Sequence, residues 1–349
     1  MSYWIFLIAF LLAVIIFLIL TIDLLRWLYS KILFHPLKNI GSIPDAPYHD
    51  RMININNGFV VNTDNFMRNR KDNKYNIIYQ YPLSQYTGLY NILTTIKNDS
   101  KSADEQNEWI NIWHFNQDPS KPTILFCHGN YGNITHRSYI IEFCLALQIN
   151  LLVFDYRGYG KSTSYPTIEH LFQDGNMAYN YLLSYTTPDK IIIWGESLGG
   201  CVAIKIATDN TCSSLVLHST FSTLDDIIYF RNPHNIISQF MKMCLPIIVN
   251  NIPNSENIKK ITCPIAVLHS IDDEIIPYCC ARKNYENITS QKKIFINIKG
   301  KHTKPIINKE TIEQLLEFCS IEKNKDFSTF VDPWLKRLTN FVNTIEKDE

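Results

Sequence analysis

An apolar run, Ile191-Ile192-Ile193-Trp194, leads directly into Gly195-Glu196-Ser197-Leu198-Gly199-Gly200, and that hexapeptide leads into a segment with Cys201, Ile204 and Ala207-Thr208 at helical spacing. A strand that reverses into a helix through one serine needs a turn of extreme tightness. Side chains two positions before and two after the serine would meet neighbouring backbone, and both positions are glycine here. The serine is held at the strand end in a strained conformation with its hydroxyl projecting. Ser197 is therefore the candidate nucleophile.

The rest of the chain extends this pattern. After Pro119, strand-length apolar runs at Thr123–Cys127, Leu151–Phe154, Ser214–Leu217, Ile265–His269 and Ile294–Ile298 alternate with helix-like stretches near Ser138–Leu147, Ile168–Tyr185 and Ser197–Thr208. Such alternation predicts a mostly parallel sheet with helices on both faces and ligands at the carboxyl ends of the strands. Before Pro119 the patches Met52–Ile55, Phe59–Val61 and Ile77–Tyr81 read as short antiparallel strands, and Trp109–Phe115 alternates with period two as a half-buried strand. The polar stretch from Asn98 to Asn107 reads as a mobile excursion.

Residues Tyr3–Ile22 are 20 positions without a charge, dominated by Ile, Leu and Phe. A helix of that length crosses the roughly 30 Å hydrocarbon core of a bilayer. The core is too long for a signal peptide, no Lys or Arg precedes it, and no small-residue cleavage site follows. Residues 1–30 thus read as a retained single-pass transmembrane helix, and residues 31–349 as one catalytic domain. Tyr3, Trp4, Trp27 and Tyr29 fall at interfacial depth, and Arg26, Lys31, Lys38 and Arg51 lie on the C-terminal flank, which puts the domain in the cytosol. An endomembrane such as the endoplasmic reticulum suits this anchor.

Composition excludes other classes. Lys plus Arg and Asp plus Glu are 33 each, so nothing favours a polyanion, and nucleic acid is not an expected partner. Nine cysteines, an odd number in mostly apolar surroundings and without a Cys-x-x-Cys pair, read as buried free thiols rather than a disulfide framework or zinc site. Three Asn-x-Ser/Thr sequons, at Asn98, Asn133 and Asn287, are what chance supplies in so Asn-rich a chain. No metal or cofactor is called for.

The loop Cys127-His128-Gly129-Asn130-Tyr131-Gly132-Asn133 follows a strand, and its glycines suit either an ordinary turn or inward-facing N–H groups that bind an anion. Asp155-Tyr156-Arg157-Gly158-Tyr159-Gly160-Lys161-Ser162 ends like a phosphate loop, but that motif needs glycine where Asp155 stands. It reads instead as a tight turn held by an Asp155/Arg157 pair. An activated serine needs a base and a group that orients the base. Downstream of Ser197, the acidic run Asp272-Asp273-Glu274 follows one strand and Gly300-Lys301-His302 follows the next, giving the chain order serine, acid, histidine. His302 is the best base, because Gly300 permits a loop that swings the imidazole over the serine. His128, His218 and His269 sit at strand ends or in tight turns.

With these residues in place the chain resembles the α/β-hydrolase superfamily, and its segments 128–133, 155–162 and 195–200 resemble the bud-emergence-type α/β-hydrolase-domain proteins, which carry an N-terminal membrane anchor. The resemblance covers about residues 108–320. It implies an α/β-hydrolase fold with Ser197 as nucleophile, Asp273 as acid, Asp272 being the neighbouring alternative, and His302 as base. It also implies an oxyanion hole formed by the backbone N–H groups of Asn130 and Leu198. Two positions depart from the family pattern: Ser270 stands where glycine is usual before the acid, and Thr303-Lys304 replaces Asn-Asp after the histidine.

Residues 221–261 form an insertion where this fold carries a small helical cap. Ile236, Ile237, Phe240, Met241, Leu245 and Ile247 make it strongly apolar, which suits either a helix packed on the domain or a lid over an acyl pocket. The expected function is hydrolysis of ester or thioester bonds in acyl, lipid-like substrates. A protein depalmitoylase and a catalytically inactive membrane-tethered binding protein are the alternatives. The depalmitoylase reading is weakened because no cysteine precedes Cys127, and the binding-protein reading because no triad member is missing.

Overall fold

A computed structural model describes residues 8–24, 33–38, 48–62, 77–80, 108–231, 252–323 and 327–336, apart from positions 9, 19, 23, 57, 58 and 328. The strands are β1 (His35–Pro36), β2 (His49–Asn54), β3 (Phe59–Asn62), β4 (Ile77–Gln80), β5 (Trp109–Phe115), β6 (Thr123–Cys127), β7 (Tyr131–Gly132), β8 (Asn150–Phe154), β9 (Ile191–Glu196), β10 (Ser214–His218), β11 (Ile265–Ser270), β12 (Lys293–Lys301) and β13 (Lys304–Ile306). Eleven of them form one sheet in the order β13-β12-β11-β10-β9-β6-β8-β5-β2-β3-β4. Every pairing from β12 across to β8 is parallel, while the β5-β2-β3-β4 flank and the β12–β13 edge are antiparallel.

Period-two patterning sends alternate side chains into two cores. Leu125 and Cys127 of β6 and Ile191 and Ile193 of β9 join one core, which includes Leu171, Ala178 and Leu182 of helix Ile168–Leu182. Ile124, Phe126, Ile192 and Trp194 join the other, with Ile140, Ile141 and Cys144 of helix Ser138–Leu147 and Leu315 and Leu316 of helix Lys309–Phe318. Helices therefore cover both faces. The same division corrects the expectation for Trp109–Phe115, which is buried throughout because Ile110 and Ile112 enter one core while Trp113 and Phe115 enter the other. Its two polar residues lie on opposite faces and are each accommodated inside: Asn111 Nδ2 donates to Asp50 Oδ1 at 2.7 Å, and His114 packs edge-on against Tyr181 and Tyr185.

A second, two-stranded sheet pairs β1 in parallel with β7. It attaches residues 33–38 to the loop after β6: Asn130 Nδ2 donates to Leu33 O at 2.6 Å, Asn130 Oδ1 accepts from His35 N at 3.2 Å, and Asn133 Nδ2 donates to Leu37 O at 2.9 Å. Upstream, residues 10–18 and 20–22 are helical, with Phe10, Ile16, Phe17 and Leu20 exposed. Among the described residues no helix is long and apolar enough to cross a membrane. Tyr3, Trp4, Trp27 and Tyr29 of the expected anchor, and residues 232–251 of the expected cap, lie outside the described residues. Of the cap segment, helix Leu224–Arg231 and helix Asn254–Asn257 are seen at its two ends.

Candidate active site

The turn between β9 and helix Gly199–Asp209 puts Ser197 in the left-handed region, at φ 53°. Its neighbours explain the glycines. A Cβ on Gly199 would lie 1.9 Å from Cys127 O, and one on Gly195 would lie 2.6 Å from Ala203 Cβ. The strained serine is held by main-chain bonds on both sides: its N–H donates to His218 O at 2.9 Å, and its carbonyl accepts from Thr220 Oγ1 at 2.7 Å and Gly200 N at 3.0 Å.

His302 Nε2 lies 3.0 Å from Ser197 Oγ, and His302 Nδ1 lies 2.7 Å from Asp273 Oδ2. A carboxylate accepts only, so Nδ1 carries the proton and Nε2 presents its lone pair to the serine hydroxyl. Asp273 is fixed through its other oxygen, which accepts from Ile275 N at 3.0 Å and Ile276 N at 2.7 Å. Burial alone would raise its pKa, but the hydrogen bond and charge of His302, together with the Ile276 N–H, outweigh that and hold the carboxyl below its usual range. Asp272 faces elsewhere, accepting from Gly300 N at 3.4 Å.

β12 runs on to Lys301 and turns back at once as β13, with Lys301 opposite Lys304, so His302 stands on the tip of a hairpin. Gly300, at φ 89°, lies within β12 opposite Pro305, just ahead of the turn. Partners absent from the sequence reading brace this hairpin: Glu274 Oε2 accepts from His302 N at 3.0 Å, and the Ser270 hydroxyl donates to Gly300 O. The signal for Glu274 was its place in the acidic run after β11; for Ser270 it was the departure from glycine. His269 Nε2 is 3.6 Å from Asp273 Oδ2 but is committed to Ile276 O at 2.8 Å, and burial lowers its pKa.

Opposite the serine, Gly129 lies against the turn: a Cβ there would come 3.3 Å from Glu196 Oε1 and into van der Waals contact with Ser197 Cβ at 3.4 Å. Asn130 follows it, its side-chain oxygen also accepting from Tyr159 OH at 2.9 Å. Leu198 caps helix Gly199–Asp209, so its N–H belongs to the positive end of the helix dipole. Next to Ser197, the Tyr139 hydroxyl donates to the Glu196 carboxylate, a link between helix Ser138–Leu147 and the turn that the sequence did not reveal.

The expected Asp155/Arg157 pair does not form. Arg157 Nε donates to Asp174 Oδ1 at 2.7 Å and its main-chain N–H to Asp174 Oδ2 at 2.7 Å, while its remaining donors meet Glu108, Gln173 and His170 O. Asp155 turns under the other loop, accepting from Ile134 N at 2.9 Å with His128 Nε2 3.7 Å away. Burial pushes its pKa up to about 7. Among the described residues no group of three or more His, Cys, Asp or Glu could hold a metal ion.

The family model described as the alpha/beta hydrolase fold matches residues 122–247. The protein bem46 of Schizosaccharomyces pombe is 38% identical over 45% of this chain and 53% of its own length. The rat lysophosphatidylserine lipase ABHD12 is 29% identical over 51% of this chain and 48% of its own. The Saccharomyces cerevisiae protein YNL320W, named an uncharacterized membrane protein, is 30% identical over 57% of this chain and 70% of its own. The match thus spans about half the length of the first two relatives. Among solved structures, the Pyrococcus furiosus esterase Pf2001 superposes with a TM-score of 0.55 at 16% identity, covering 82% of this chain and 97% of its own.

Proposed function

This chain belongs to the α/β-hydrolase family, in the group that includes bem46, ABHD12 and YNL320W, and from that membership we propose that it is a serine hydrolase cleaving carboxylic ester or thioester bonds of acyl, lipid-like substrates. The observation that carries the reading is the continuous hydrogen-bonded line from Ser197 Oγ through His302 to Asp273. His302 Nε2 takes the hydroxyl proton as Ser197 attacks the carbonyl carbon, and Asp273 stabilises the imidazolium that forms. The N–H groups of Leu198 and Asn130 receive the developing oxyanion. His302 then returns the proton to the leaving alcohol or thiol, and water, deprotonated by the same nitrogen, releases the acyl group.

In this proposal residues 1–30 anchor the protein as a single membrane-spanning helix, residues 31–349 form a cytosolic hydrolase domain, and the insertion at about 221–261 is its cap. The exposed apolar side chains of the helical residues 10–18 and 20–22 support the anchor. The lipid substrate class is supported by the lysophosphatidylserine lipase activity for which ABHD12 is named and by the apolar composition of the insertion.

Labelling by a fluorophosphonate probe in detergent-solubilised membranes, with Ser197→Ala and His302→Ala alongside, tests the chemistry. The expected result is labelling of wild type that both variants lose, and faster hydrolysis of long-chain than of short-chain esters. Folded wild type that takes up no probe overturns the serine-hydrolase reading; activity confined to short, water-soluble esters overturns the lipid reading alone.

A further inference from the structure

A second pair of reactive side chains lies at the other end of the sheet from Ser197. Cys212 stands just before β10 and Cys263 just before β11, and these strands are parallel neighbours in the register Leu215 opposite Ile265. The N–H of Leu215 donates to Pro264 O at 2.9 Å, which brings the two lead-in segments side by side. The Cys212 thiol donates to Cys263 Sγ across 3.3 Å.

Geometry makes this pair different from the other cysteines. Cys127, Cys144, Cys201, Cys280 and Cys319 are buried and Cys279 is exposed, whereas Cys212 and Cys263 are half-buried, within reach of solvent and in thiol–thiol contact. The register sets Cys212 one residue diagonal to Cys263, and a strand spacing of about 4.8 Å with a rise of about 3.3 Å per residue puts such a pair about 6 Å apart, inside the range of about 4.4–6.8 Å between Cα atoms that a disulfide spans. Closing the sulfur contact to a bond of about 2.05 Å requires only side-chain rotation. We propose that Cys212 and Cys263 form a dithiol site whose substrates are two-electron thiol oxidants such as peroxides, and which oxidises reversibly to a disulfide joining the amino ends of β10 and β11.

The donated hydrogen bond fixes the order of events. Cys263 accepts the hydrogen bond from the Cys212 thiol, and that bond lowers the Cys263 pKa while raising that of Cys212. The Cys263 thiolate attacks one peroxide oxygen, the O–O bond breaks, and the departing hydroxide takes a proton to become water, leaving a sulfenic acid. Cys212 sulfur then attacks the sulfenic sulfur, the S–O bond breaks, and a second water leaves with the Cys212 proton. Two thiols and one peroxide give one disulfide and two waters, the sulfur pair losing the two electrons that the peroxide gains. The bond closes a loop that contains β10, helix Leu224–Arg231 and the whole insertion. This inference does not depend on the proposed hydrolase chemistry.

The test uses the reduced full-length protein, exposed to hydrogen peroxide and digested without reductant for mass spectrometry. The expected product is a reducible Cys212–Cys263 cross-linked peptide that forms at least about tenfold faster than any modification of buried Cys144. In Cys212→Ser the cross-link is lost and dimedone traps a sulfenic acid on Cys263. The thermal midpoint rises on oxidation and returns with dithiothreitol in wild type but not in Cys212→Ser, as loop closure predicts. Oxidation that joins Cys263 to Cys244, or that leaves both thiols free while Cys279 reacts, overturns the assignment. Probe labelling of Ser197 in the same samples reports separately on the hydrolase site.

Discussion

Two charged clusters sit at the carboxyl ends of the strands and use similar groups to opposite ends. Around Arg157 every nitrogen has an acceptor: Asp174 takes two bonds, and Glu108, Gln173 and His170 O take the others. Around His302 the matching stops one step short. Asp273 is saturated by Ile275, Ile276 and His302, but His302 Nε2 ends on a serine hydroxyl, a partner able to give up its proton. The exposures follow: the side chain is 11% exposed for His302 and 2% for Arg157. A closed cluster holds backbone in place; an open one can exchange a proton.

The comparison breaks if the open cluster proves to be structural. Ser197→Ala and His302→Ala are each expected to lower kcat for ester hydrolysis by on the order of 10⁶. Melting curves of the same variants should stay within a few degrees of wild type, since neither side chain supports a strand. Asp273→Asn is expected next, with a loss of about 10⁴ in kcat, because an amide no longer selects the His302 tautomer. Steady-state kinetics on protein whose near-ultraviolet circular dichroism matches wild type would read it.

The closed cluster should fail in the other coordinate. Arg157→Met leaves the Asp174 carboxylate buried without its cation and is expected to cost about 3–5 kcal/mol in urea denaturation. Active-site titration should find kcat per folded molecule unchanged; a selective loss of kcat instead would place Arg157 in the chemistry. The smallest effect belongs to Asp155. Its pKa is raised in the folded state to about 7, so its favourable contribution is complete below the unfolded value near 3.9 and is lost as pH rises through 7. The wild-type contribution should fall by on the order of 2 kcal/mol between pH 5 and 8, and Asp155→Asn, which keeps an acceptor for Ile134 N, should flatten that dependence.

The sequence carried the site's centre because its constraints are local. A turn with glycine on both sides of Ser197 and an apolar strand before it can be read in a dozen residues. What escaped depends on distant partners. Asp155 and Arg157 look paired because they are neighbours, yet the groups that claim Arg157 lie 17 and 49 residues away. The β13 hairpin was invisible because Lys299-Gly300-Lys301-His302-Thr303-Lys304 has no apolar alternation. Asp272 and Asp273 both reach that hairpin, and only the fold shows that Asp273 meets the His302 ring while Asp272 meets the Gly300 N–H. Trp109–Phe115 showed the right period, but two buried faces with polar residues paired internally give the same pattern as one wet face.

The short β1–β7 pairing has a mechanical side. Tension on the chain upstream of Leu33 falls on the β1 contacts with Asn130, Gly132 and Asn133 as well as on the packing of Phe34 against the main core. Among the springs in that load path are the hydrogen bonds that fix Asn130. A pull applied there would therefore strain this loop, and the eleven-stranded sheet behind it would serve as the fixed wall against which the strain is measured.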